Sequence, residues 1–177
     1  MRTFVKLLIA LALGLPVGAM AQSPPSEYQL KAAFLLNFAR YAEWPAMPAG
    51  TLRICLLGRD PFGAALASLE HRQVQGRDVR IILLGSVAQA VSCQLLFISD
   101  SEERRSATLL RSLEGSPVLT VSDMEGFVDE GGGIGFVLVD DRIRFDINYA
   151  VIQREGMKLS AQLLRLARRV VGTEAGR

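Results

Sequence analysis

Histidine is almost missing from this chain: among 177 residues there is one, His71. It sits in the polar stretch Glu70-His71-Arg72-Gln73, without a candidate nucleophile near it in sequence, and reads as a surface residue. With no second imidazole, Ser-His-Asp and Cys-His catalysis, histidine-rich zinc sites and the usual metalloprotease patterns are excluded. Cysteine is scarce as well. Cys55 and Cys93 lie far from a Cys-x-x-Cys spacing, which argues against thiol exchange. No block of like charge and no basic field occurs, so nucleic acid is not an expected partner. The most apolar run, Leu7 to Leu15, stops at Pro16 and Gly18, well short of the roughly 20 residues that a membrane span requires.

That run has another meaning. Arg2 and Lys6 precede it and Ala19-Met20-Ala21 follows it, the pattern of a cleaved secretory signal peptide over residues 1–21. An uncleaved N-terminal anchor is the alternative reading, disfavoured by the run's length. No cysteine follows the cut site to carry a lipid. Removing the leader takes away two of the 20 basic residues and leaves 18 against 18 acidic ones, so the mature product is close to neutral. Export also places Cys55 and Cys93 where disulfides persist. Both fall on strand positions that a parallel sheet can set side by side, so a bond is expected, with two buried thiols as the alternative.

Half of the chain is hydrophobic, enough for one domain over residues 22–171, followed by a loose tail at 172–177. The mature protein opens on Ser26 to Pro45, SEYQLKAAFLLNFARYAEWP, which reads as a helix capped by Ser26 and ended by Pro45. Leu30, Phe34, Phe38 and Tyr41 line one side of it, Tyr28, Leu35 and Ala42 widen that side, and Ala33 and Leu36 lie opposite. Only Gln29, Asn37, Arg40 and Glu43 form a polar strip. A helix apolar over so much of its girth is expected to pack on two sides.

Short apolar runs then alternate with helical segments. Leu52 to Leu57, Val79 to Leu84, Leu95 to Ile98 and Val118 to Val121 read as buried strands. Between them, Asp60-Pro61 and Ser99-Asp100-Ser101-Glu102 start helices. Ile134 to Val139 and Arg142 to Ile147, joined by Asp140-Asp141, read as an antiparallel hairpin. Asn148 to Val171 reads as two helical segments interrupted by Gly156, with Arg165, Arg168 and Arg169 facing water. The expected fold is therefore a single α/β domain: a mostly parallel sheet of about six strands with an antiparallel edge hairpin and helices on both faces.

Three features invite chemistry. The glycine run Gly131, Gly132, Gly133 and Gly135 precedes a strand instead of joining strand to helix, so close packing or a bulge fits it better than a phosphate loop. Asp60, Asp100 and Asp123 each follow a strand and could hold Mg²⁺, or serve as helix caps. Arg142, Arg144, Asp146 and Asn148 alternate along the last strand, either as a solvated face or as the polar wall of a pocket against Arg40 and Glu43.

Taken in order, Lys31 to Tyr41 with Glu43-Trp44-Pro45, Gly58 to Gly63 as G-x-D-P-F-G, Gly76-Arg77, Cys93 before LLFIS, VLTVSD at Val118 to Asp123, Gly126-Phe127, RIRFDIN at Arg142 to Asn148 and GMKLSAQLLRLA at Gly156 to Ala167 resemble the YfiR-like family of periplasmic proteins. The resemblance implies a non-catalytic, homodimeric regulator without a cofactor. It would bind the periplasmic part of an inner-membrane diguanylate cyclase, or another membrane sensor protein, and so govern cyclic-di-GMP and biofilm formation. It further implies a structural Cys55–Cys93 disulfide. Some relatives carry a second cysteine pair near the last hairpin that this chain lacks, which puts a two-disulfide redox switch in doubt. Small-ligand binding in the family suits a pocket at Arg40, Arg144 and Lys158. Asn37, Arg40, Glu43, Trp44, Arg142, Arg144, Asp146, Asn148 and Lys158 are the expected contacts with a partner or ligand; no metal ligands are expected.

Overall fold

In the computed structural model, which describes residues 25–47 and 49–172, Ser26 caps the opening helix. Its hydroxyl accepts from Gln29 N–H while the Gln29 side chain accepts from Ser26 N–H, the reciprocal arrangement that satisfies two orphan donors. Helix α1 (Glu27–Tyr41) ends earlier than Pro45 suggests. Ala42 and Glu43 leave it as strand β1 (Ala42–Glu43), which pairs antiparallel with Leu159 and Lys158; tertiary pairing wins over helix continuation. The proposed leader and the tail beyond Gly172 lie outside the described residues.

Strand β2 (Thr51–Leu57), the short helix α2 (Ala64–Ala67), and the hairpin of β3 (Gln73–Val74) and β4 (Arg77–Leu84) come next. A 3-10 turn leads to β5 (Leu95–Ile98). A second runs into α3 (Ser106–Ser112), and β6 (Leu119–Ser122) follows. Strands β7 (Ile134–Val139) and β8 (Arg142–Asn148) form the anticipated hairpin, whose Asp140 and Asp141 both take positive φ (48° and 56°), as a two-residue turn matched to strand twist requires. The chain closes with α4 (Tyr149–Arg154), β9 (Lys158–Leu159), α5 (Ala161–Leu166) and β10 (Arg169–Val171).

The main sheet has eight strands in the order β10-β8-β7-β6-β5-β2-β4-β3, and β1 and β9 form a separate two-stranded ribbon. Six of the eight are the anticipated strands; β3 and β10 are additions at the edges. Helix α5 was expected to continue to Val170. It stops at Leu166 because Arg169 to Val171 pair in parallel with Asp146 to Asn148. The hairpin is therefore inside the sheet, and Arg168 and Arg169, expected to face water, turn their guanidinium groups onto Asp146.

Alternation along the central strands feeds two cores, as a sheet covered on both faces demands. Ile54, Leu56, Phe97, Val121, Phe136 and Phe145 face α1, α4 and α5; Cys55, Leu57, Leu96 and Ile98 face α3 and Phe127. Helix α1 buries Leu35, Phe38 and Ala39 completely, with Phe34 half-buried at the margin and Leu30 41% exposed. The buried face thus centres on Leu35 and Phe38, with Phe34 and Tyr41 at its margin and only Leu30 of the stripe exposed. Phe38 stacks among Phe34, Phe136 and Phe145, with ring centroids 5.0 to 5.9 Å away. Cys55 and Cys93 are bonded, and both are buried on the α3 face.

Candidate partner-binding surface

Open parallel sheets usually take ligands at the carboxyl ends of the strands, where the strand order reverses, here between β2 and β5. That crevice is filled. At Gly58 (φ 97°) a Cβ would lie 2.6 Å from Ser101 Oγ, because residues 99 to 102 fold down over the strand end. The three aspartates are engaged separately. Asp60 Oδ1 accepts from the N–H groups of Phe62 and Gly63, and Asp100 accepts from Ser99 Oγ. Asp123 is bound to α1, and among the described residues no three His, Cys, Asp or Glu side chains group as metal ligands. Three of the four glycines in the run pack closely, as anticipated: a Cβ would meet the Phe127 ring at 2.2 Å on Gly132, Thr120 O at 2.9 Å on Gly133 and Val128 at 3.1 Å on Gly135, while Gly131 has open space around it.

Lys31 is a group that sequence reading missed. It is buried on α1, its Nζ 2.7 Å from Asp123 Oδ2 and 4.5 Å from the centre of the Tyr28 ring, while Tyr28 Oη donates to the same carboxylate oxygen. Burial alone would lower the lysine pKa. Hydrogen bonds to Asp123 and Glu27 outweigh it and raise the value, so the amine stays protonated. It acts as a pin between α1 and the end of β6, not as a nucleophile.

Beyond that pin, the outer side of α1 is open. Gln29, Ala33, Leu36, Asn37 and Arg40 recur at helical spacing and form one wall of a groove of about 540 Å³. Ala64, Ala65, Ser68 and Leu69 of the α2 segment form the other wall, with Arg72 at the end. Arg40 Nη1 donates to Asn37 Oδ1 at 3.1 Å. Glu43 is exposed on β1 and lies opposite Lys158 on β9. So Asn37 and Arg40 come together, with Glu43 and Lys158 on the ribbon that continues from the helix.

The remaining anticipated contacts lie elsewhere. Trp44 is 9% exposed and its indole N–H donates to Gln94 O at 2.9 Å, anchoring the ribbon to the sheet. Because Phe145 and Ile147 face α1, the alternating Arg144 and Asp146 belong to the opposite side of the sheet, and Arg144 does not share a pocket wall with Arg40. Arg142, at the hairpin tip, borders a second groove of about 490 Å³ with Leu30, Phe34, Leu138 and Ile143. Asn148 caps α4 by accepting from Val151 N–H, and it donates to Val128 O.

Asp146 is 2% exposed and holds the C-terminal strand. Arg168 grips it through two nitrogens at 2.8 and 2.5 Å, and Arg169 reaches it at 3.0 Å while also binding Asp129. These groups border an open pocket of about 490 Å³ with Phe127 and Val137. Burial by itself would raise the Asp146 pKa; the arginine hydrogen bonds outweigh it and hold the carboxyl below the usual range. Its stabilising effect is therefore complete above the unfolded value of about 4 and is lost as the pH falls through the lower folded value. Asp146→Asn is expected to cost about 2 kcal/mol at pH 7, between an exposed pair and a fully buried one because the arginine tips are half-exposed. Urea unfolding followed from pH 7 to pH 3 should show the gap between wild type and variant closing below about pH 4.

Among the described residues no helix is long and apolar enough to cross a membrane. A solved structure, the ABC domain in complex with L-Trp from Streptococcus pneumonia, shares this fold with a TM-score of 0.54 at 13% identity, over 79% of this chain and 60% of its own length. The chain thus spans about three-fifths of that structure, and at such identity the likeness concerns the fold alone. The family model described as YfiR/HmsC-like matches residues 28–168, from the second residue of α1 to the arginine before β10, and so takes in both cores and the outer groove. This chain belongs to the YfiR/HmsC-like family.

Proposed function

We propose that this protein is a periplasmic repressor, exported through a cleaved signal peptide and acting as a homodimer. It binds the periplasmic part of an inner-membrane diguanylate cyclase and lowers cyclic-di-GMP output, and with it biofilm formation. The observation that carries the reading is the family match across the folded domain, which supports a periplasmic regulatory role in general. The open outer side of α1, with Asn37, Arg40 and Glu43 available to a partner, agrees with a protein-binding task. Deleting the gene is expected to raise cellular cyclic-di-GMP, measured by mass spectrometry, and the wild-type copy should restore the low level. Unchanged cyclic-di-GMP across growth conditions would defeat the proposal.

A second reading, a periplasmic small-molecule sensor acting with another membrane signalling protein, is favoured by the pocket beside Asp146, Arg168 and Arg169, where both charge signs border an open space. A metabolite that raises the melting temperature of the wild type but not of Arg168→Ala would support it.

A further inference from the structure

The groove between α1 and the α2 segment has a floor of small side chains, an uncommon composition for a solvent-facing wall. Ala33 and Ala64 are exposed, Ala65 is half-exposed, and Leu36 lies at the base, 7% exposed. Both walls are mainly helical, so their backbone groups are largely satisfied internally and offer no ladder to an extended peptide. A strand laid here would strand its own N–H and C=O groups, whereas a helix arrives with its hydrogen bonds already made. Small residues let such a helix approach to the short end of the usual 8–10 Å axial spacing. From Gln29 to Arg40 the wall runs about 16 Å, or three helical turns.

Charge identifies the occupant further. Arg40 and Arg72 are the only charged residues that line the groove, and among the described residues neither takes part in an ion pair. We infer that this groove docks an acidic amphipathic helix of about three turns from the membrane partner, its small or apolar side on the alanine floor and its Asp or Glu side chains at Arg40 and Arg72. The inference deepens the repressor reading and rests on it for the partner's location at the periplasmic face of the inner membrane.

The test uses the full chain, exported in its own host, with the photo-cross-linker p-benzoylphenylalanine in place of Ala33 or, separately, Ala64. The cross-linked peptide is sequenced by mass spectrometry. The expected adduct is a segment with helical apolar spacing and carboxylates on the same side, and its yield should fall about tenfold in Arg40→Glu/Arg72→Glu. Converting the partner's carboxylates to lysine should restore it. Ala33→Trp, which fills the groove without altering charge, should abolish the adduct from position 64. Melting temperatures of the purified variants within about 2 °C of wild type, at most about 1 kcal/mol for a domain of this size, would show that they fold. A peptide from a second copy of this chain, a segment without carboxylates, an adduct indifferent to charge reversal, or no adduct would each overturn the inference. The two readings separate cleanly. If deletion raises cyclic-di-GMP while Arg40→Glu/Arg72→Glu represses normally, the groove assignment falls and the repressor stands. If deletion changes nothing but an acidic helix is captured in a charge-dependent way, the cyclase reading falls and the groove assignment stands.

Discussion

Phe38→Ala should lower the free energy of unfolding by about 4 kcal/mol, a large fraction of the stability of a domain this size. The ring has no exposed surface and lies in an aromatic cluster, 5.0 Å from Phe145 and 5.6 Å from Phe136. Truncation removes its transfer free energy and leaves a cavity that two strands and a helix cannot close without breaking other contacts. Urea unfolding with an unchanged m-value is the measurement, and a loss below about 1 kcal/mol would contradict this packing account. Phe38→Leu, which keeps most of the volume, should cost clearly less. The consequence reaches function, because Phe38 seats the helix whose opposite side forms the groove with Ala33 and Arg40. A destabilised α1 should weaken partner binding even though Phe38 never meets the partner.

Removing the disulfide with Cys55→Ala/Cys93→Ala should cost a comparable amount. The bond joins residues 38 apart, and in the chain-entropy account a loop of that length is worth about 4 kcal/mol. For this size of domain that corresponds to a fall in melting temperature of roughly 10–15 °C. Reductant should reproduce the shift only slowly under native conditions, since Cys55 is fully buried and Cys93 is 2% exposed, which leaves little access for an attacking thiolate. The bond lies in the core on the α3 side of the sheet, away from α1. At a temperature where the double variant is still folded, repression should therefore persist. Repression lost in a folded variant would assign the bond a role beyond stability.

Much of this molecule was legible as a string. The period-two alternation and the helical spacing are local properties, so the four parallel strands, the Asp140-Asp141 hairpin and the cap at Ser26 could be placed directly. The order of motifs from Lys31 to Ala167 identified the family for the same reason, because motif order is a property of the string. The loss of helix at Ala42 and at Arg169 could not be placed that way. Each of these segments pairs with a strand that is distant in sequence, and the gain from pairing overrides local preference.

The same limit governs the site. Asn37 and Arg40 were visible because one helix face holds them both, and spacing alone predicts that. Their neighbour Arg72 was not, because it reaches the groove from another segment. Asp146 looked like one member of a polar face until β10 brought two arginines onto it, and nothing in the string marks Lys31 as buried, because Asp123 meets it from the end of β6. By itself, the sequence determined six of the eight main-sheet strands, their alternation with helices and the family, since short-range periodicity and motif order encode all three. Only the tertiary structure decided which charges are buried in pairs and which are left free at a groove, because that depends on contacts between residues far apart in the chain.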